Sequence, residues 1–154
     1  MVIQIPRWER SAERLMGSVY ANITIRNRAD EALFERGHIR EDEIRAVALN
    51  QVLVDTGATT LCLPADVVRA LGLAFLKKVP FRTASGEHVG RIFQDAKLIV
   101  EGRAGNFECL ELPVGAQPLL GVLPLEALGI EPDIINHRVR LVPEEPGDTH
   151  YLAM

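Results

Sequence analysis

The sequence contains no run of lysine and arginine, and its formal net charge of -4 offers no long-range attraction to a phosphate backbone. Nucleic acid is not an expected partner. No apolar run is long enough to span a bilayer, and the amino terminus, Met1 to Arg10, turns charged before any stretch reaches the length of a signal h-region. The expectation is a cytoplasmic protein without a membrane partner. The two cysteines, Cys62 and Cys109, allow at most one bridge and lack CxxC spacing, so reduced, buried thiols are expected rather than a disulfide framework or a zinc site. His38, His88, His137 and His150 are scattered without the spacing of metal ligands. With GxxxxGK[ST] and GxGxxG missing, nucleotide binding has no support, and neither a metal nor another cofactor is expected. Ser85 and His88 are close in sequence, but no GxSxG elbow accompanies them and a hairpin tip is a poor scaffold for a triad.

What is present is ordinary for one globular domain: 154 residues, 47% hydrophobic and 25% charged, enough to enclose a sizeable core. Val19, Ala21, Ile23 and Ile25 alternate with smaller or polar residues across 17–25, a half-buried strand pattern. The charged stretch Asn27 to Glu43, with Gly37, reads either as a long hairpin tip or as a short helix around Glu31 to Arg36. Aliphatic residues return from Ile44 and end in Val52-Leu53-Val54, an apolar run suited to a strand buried on both faces. Turn formers fill Asp55 to Thr60; Pro64 then opens a helix over Ala65 to Leu71, with Gly72 as its stop.

Val79 to Phe93 predicts a β-hairpin with Ala84-Ser85-Gly86-Glu87 at its tip, and further strands are expected at Ala96 to Val100 and Asn106 to Leu112. A second apolar run, Leu119 to Leu123, leads through Pro124 to a helix at Leu125 to Leu128 stopped by Gly129. A final strand lies in Asp133 to Val142, with Ile135, Val139 and Leu141 on its pattern. The order of apolar strand, glycine-bearing turn, proline, short helix and glycine stop thus occurs twice. Short strands with two brief helices predict an all-β, barrel-like domain rather than an alternating α/β sheet. Trp8, Leu15 and Met16 are read as anchoring the amino-terminal segment on the body or on a partner.

Val52-Leu53-Val54-Asp55-Thr56-Gly57-Ala58 resembles the retropepsin-like aspartic proteases, whose signature is an apolar strand delivering Asp-Thr-Gly-Ala. Leu119-Leu120-Gly121 is similar to that family's second signature, which crosses behind the active-site loop. Phe81 to Phe93, with Gly86 at the tip, stands where the family places its flap hairpin. The resemblance covers 17–142, between an amino-terminal extension (1–16) and a carboxy-terminal tail (143–154). It implies a closed acid-protease barrel with one or two short helices and a flap, assembled as a symmetric homodimer, and the activity of an endopeptidase on peptide or polypeptide substrates. The sequence departs from viral members in the flap, in the 27–43 insertion and at both termini.

Peptide hydrolysis with water needs one carboxylate to take a proton and another group to protonate the carbonyl oxygen, and two carboxyls pressed together share a proton for that purpose. A chain with a single Asp-Thr-Gly implies that two copies meet across a two-fold axis, each contributing Asp55. On the family pattern Thr56 lends its hydroxyl to the partner's loop, and Gly57 permits a backbone conformation or close approach and donates its amide to the carboxylate. Ala58 has no hydroxyl with which to favour the ionised form, which implies an optimum from mild acid to neutral unless Thr59 supplies that hydroxyl. Ala58, Ala84, Ser85, Gly86 and Leu120 are the residues expected against substrate, which would lie extended and add to the flap as a strand. The alternative is a catalytically silent dimerisation or peptide-binding module on the same fold.

Overall fold

In the computed structural model, which describes residues 18–143 and the backbone of residues 2–4, the chain is built mainly from strands. Strand β1 (Val2–Gln4) precedes β2 (Tyr20–Asn27), where Ala21, Ile23 and Ile25 are buried and their neighbours face outward, as alternation demands. The 27–43 stretch resolves in favour of a helix: α1 (Arg28–Glu35) starts because the Asn27 carboxamide accepts from the Asp30 amide at 3.0 Å. The same carboxamide donates to the Leu71 carbonyl at 2.8 Å, tying the helix start to a distant turn. The acids of the first turn are both buried. Asp30 takes Arg45 Nε at 2.8 Å and Nη2 at 2.9 Å, and Glu31 takes Lys97 Nζ at 2.7 Å and Arg28 Nη1 at 2.8 Å.

Next come β3 (Ala46–Val54), β4 (Leu61–Pro64) and α2 (Ala65–Leu71), which closes on Gly72 in the left-handed conformation at φ 62°. The long hairpin is β5 (Ala74–Thr83) and β6 (Gly86–Val100); Thr83 pairs with Gly86, so Ala84 and Ser85 alone make the turn. β7 (Arg103–Leu112), the short β8 (Leu119–Leu120) and α3 (Val122–Leu128) follow, α3 ending on left-handed Gly129 at φ 63°. The chain then makes a separate two-stranded sheet from β9 (Ile130–Asp133) and β10 (Arg138–Leu141). The two halves seen as an echo in the sequence are therefore alike in structure: strand, seven-residue helix, left-handed glycine.

Pairing runs from β3 through β2, β6, β7, β4 and β8, and β8 pairs in turn with β3, Leu53 opposite Leu119 and Val54 opposite Leu120. β1 adds to β3 in parallel, and among the described residues β5 pairs with β6 alone. Ile25, Val47, Leu49, Leu61, Leu63 and Leu98 fill the interior with under 2% exposure. At roughly 1.5–3 kcal/mol for each side chain removed from water, such burial is the main stabilising term. None of the helices in the described residues is long and apolar enough to cross a membrane.

Several boundaries differ from expectation. The hairpin strands extend well past Val79 and Phe93, and the strand expected to begin at Ala96 is the continuation of β6 across a bulge between Phe93 and Ala96, where Asp95 takes a positive φ of 64°. Helix α3 starts at Val122 rather than Leu125, because Pro124 occupies its first turn, where an amide donor is dispensable. Ile135 is 89% exposed in the turn between β9 and β10, so the single final strand is in fact a hairpin. Of the Val52-Leu53-Val54 run only Val52 is fully enclosed; Leu53 and Val54 are half-buried. The amino-terminal extension other than β1, with Trp8, Leu15 and Met16, lies outside the described residues, as do Gly17, His150 and the tail from residue 144.

Candidate active site

β3 ends at Val54, and the next residue, Asp55, is half-buried at the start of a loop that returns into β4. The loop is a tight turn, the Ala58 amide donating to the Asp55 carbonyl at 3.0 Å. The Gly57 amide donates to Asp55 Oδ1 at 2.9 Å, and no other hydrogen-bond donor reaches that carboxylate among the described residues. A Cβ on Gly57 would stand 3.1 Å from the same oxygen, so what glycine provides here is close approach. Thr56 is exposed, and its hydroxyl has no hydrogen-bond partner among the described residues. Ala58 lines the cavity in front of the loop, and Thr59 does not bond the carboxylate.

Behind the loop, the chain from Pro118 to Leu123 supplies its hydrogen-bond partners. The Asp55 amide donates to the Leu120 carbonyl at 3.0 Å. In return the amides of Gly121, Val122 and Leu123 donate to the carbonyls of Thr60, Ala58 and Thr59 at 3.1, 2.9 and 3.0 Å. Gly121 is required for this crossing: a Cβ there would lie 2.7 Å from the Ala58 oxygen and closer still to that of Thr60. The donors of the first turn of α3 and the acceptors of the loop thus satisfy one another, which holds the loop without a side chain.

In front of the loop is a cavity of about 740 Å³, large enough for a segment of peptide. Its wall is formed by Lys77 and residues 79–83 of β5 and by residues 106–108, Leu110 and Leu112 of β7, with Ile92 of β6 between them; Lys77 and Glu108 stand exposed at its edges. Gly90 leaves room on β6: a Cβ there would meet Leu110 Cδ1 at 2.7 Å and Phe81 Cδ1 at 2.9 Å, so the Phe81 ring folds over a backbone with no side chain. Leu119 and Leu123 close the side next to Asp55.

Cys62 also lines this cavity while remaining 4% exposed. Burial, together with the charge of nearby Asp55, pushes its thiol up to about 11. Cys109 faces the core and is pushed up as well, chiefly by burial. Both cysteines are free and buried.

Leu120, expected against substrate, is fully buried in the core and cannot reach the cavity; the alternation of β8 turns Leu119 there instead. Ala84, Ser85 and Gly86 stand exposed at the hairpin tip, beyond Thr83, the last cavity-lining residue of β5. There Ser85 Oγ lies 3.0 Å and Thr83 Oγ1 3.1 Å from His88 Nε2, with no carboxylate bonded to the ring among the described residues. Among the described residues no group of three His, Cys, Asp or Glu side chains could hold a metal ion. Lys77, Glu108 and Leu123 were not singled out in the sequence. Lys77 lies before the hairpin expected from Val79, and Glu108 and Leu123 needed the register of β7 and α3.

A family model described as gag-polyprotein putative aspartyl protease matches residues 41–127, a span that includes both the Asp55 loop and the Leu119-Leu120-Gly121 crossing. No curated protein matches the chain.

Proposed function

Because the chain belongs to the retropepsin-like aspartyl protease family, we propose that it is an endopeptidase whose active site forms when two copies bring their Asp55 carboxylates together. The observation that carries this reading is the isolation of Asp55. One carboxylate, held among the described residues only by the Gly57 amide, is presented to a peptide-sized cavity on a loop braced from behind. Hydrolysis by this chemistry needs a second carboxyl in contact with the first, and a two-fold axis at the loop supplies it. The exposed hydroxyl of Thr56, without a partner among the described residues, is suited to reach across that axis to its counterpart loop.

In the assembled site, one ionised Asp55 removes a proton from water as the oxygen attacks the peptide carbonyl. The protonated copy gives its proton to the carbonyl oxygen. Collapse of the tetrahedral intermediate returns a proton to the amine and releases two peptides. The pairing that returns to β3 is read as the closed barrel of this fold, and the β5–β6 hairpin as the flap that covers an extended substrate. Without a hydroxyl on Ala58 directed at the carboxylate, the cleavage optimum falls between mild acid and neutral pH.

The test is cleavage of a diverse peptide library across pH, with new termini read by mass spectrometry, for wild type and Asp55→Asn. The substitution is expected to lower cleavage by at least about a thousandfold. An equal mixture of wild type and Asp55→Asn should retain about a quarter of the undiluted activity, since both carboxylates must be intact in one dimer. Activity equal to the wild-type fraction alone would show that each chain works by itself. A folded dimer that cleaves nothing would leave a peptide-binding module.

A further inference from the structure

We propose that the cavity selects peptides carrying an acidic side chain opposite Lys77 and a basic side chain opposite Glu108, a specificity that rests on the peptide-substrate reading above. Most of the inward-facing wall is apolar: Val79, Phe81, Ile92, Leu110 and Leu119 suit any aliphatic sequence and discriminate little between charges. Among the charged groups of the cavity, Arg82 is neutralised by Glu87 at 2.7 Å and Asp55 belongs to the chemistry. The two left are Lys77 and Glu108, whose side chains make no ion pair or hydrogen bond among the described residues.

Their positions are fixed by strand register. Lys77 pairs with Ile92, and Ile92 with Leu110, so these three residues form one row across β5, β6 and β7. Glu108 is two residues before Leu110 on the same face of β7, and its backbone carbonyl accepts from Thr60 Oγ1 at 2.9 Å, which places it beside the Asp55 loop. The cation therefore stands at the hairpin side of the cavity and the anion at the loop side. Strands spaced about 4.8 Å apart and residues advancing about 3.4 Å put the two roughly 12 Å from each other. Side chains on one face of an extended peptide match that span when they are about four positions apart. The two signs are opposite, so within one copy a peptide carrying the charges in exchanged places would meet repulsion at both positions.

The experiment uses the Asp55→Asn protein, so that binding is measured without turnover, and two fluorescein-labelled apolar peptides, one with an aspartate and a lysine about four positions apart and the other with asparagine and glutamine in their places. Fluorescence anisotropy should show the matched peptide binding more tightly, by about two- to fivefold for each exposed charge, and the difference should shrink in high salt. Lys77→Glu should reverse the preference at the acidic position and Glu108→Lys that at the basic position. Lys78→Glu changes net charge equally but lies on the opposite face of β5, and should change neither. Equal binding of both peptides, or an equal effect from Lys78→Glu, overturns the assignment. Selective binding by Asp55→Asn together with no cleavage by wild type would instead overturn the hydrolase reading and leave the charge assignment standing.

Discussion

The Gly121 amide donates to the Thr60 carbonyl at 3.1 Å, and the backbones there are so close that no side chain fits between them. Rigid backbone rather than a movable side chain limits the space, so Gly121→Ala has to displace the Asp55 loop. The expected cost is about 2–3 kcal/mol, a melting temperature lowered by roughly 5–10 °C, and loss of cleavage at temperatures where the variant is still folded. Calorimetry and peptide cleavage on the same sample check both parts. A variant with wild-type cleavage would mean that the crossing does not set the loop.

Adjacent leucines should separate stability from substrate binding. Leu120→Ala opens a hole in the closed core and should cost about 2–5 kcal/mol in urea unfolding. Leu119→Ala, on the cavity side, should cost less and appear instead as a raised KM for peptides with large apolar residues.

Neither thiol should react with Ellman's reagent in the native protein at neutral pH. Cys62 is held up to about 11 by burial and the Asp55 charge, and Cys109 is raised by burial, so the thiolate is scarce at both and access is poor. Denaturant should release the two cysteines together. Rapid labelling of Cys62 in the folded state would contradict its placement under the cavity wall.

Acid should loosen the α1 region first. Arg45, through its side-chain hydrogen bonds, holds Asp30 below the ordinary carboxylate value. Burial pushes Glu31 the other way, but Lys97, Arg28 and Arg26 together outweigh it and lower it too. Both groups therefore bind fewer protons folded than unfolded. The stability they contribute is present above the usual carboxylate range of about 4 and is lost as pH falls through the depressed folded values. Asp30→Asn should make the acid limb of a stability profile shallower, and Asp30→Ala should cost about 2–3 kcal/mol at neutral pH. An unchanged acid limb would show that the pair does not couple to folding.

Local chemistry was legible wherever one residue settles the backbone. Gly72 and Gly129 mark the ends of α2 and α3, whereas the hairpin turn falls on Ala84 and Ser85, and Gly86, expected at the tip, is already the first residue of β6. What was not legible depends on register between distant strands. Leu119 and Leu120 look equivalent in an apolar run, and only the pairing of β8 with β3 and β4 decides which of them faces the cavity. The α1 helix was ambiguous because its stabilising partners, Arg45 and Lys97, lie far along the chain from Asp30 and Glu31. The β9–β10 hairpin was hidden because Ile135 fits an apolar alternation while standing in a turn.

The crossing behind the loop also orders events during synthesis. The Asp55 amide and the carbonyls of Ala58, Thr59 and Thr60 find their partners only in residues 120–123. A nascent chain that has left the ribosome as far as β7 carries the whole Asp-Thr-Gly segment with its back unpaired, and such long-range closure is slow. The loop acquires its final shape only after α3 has emerged.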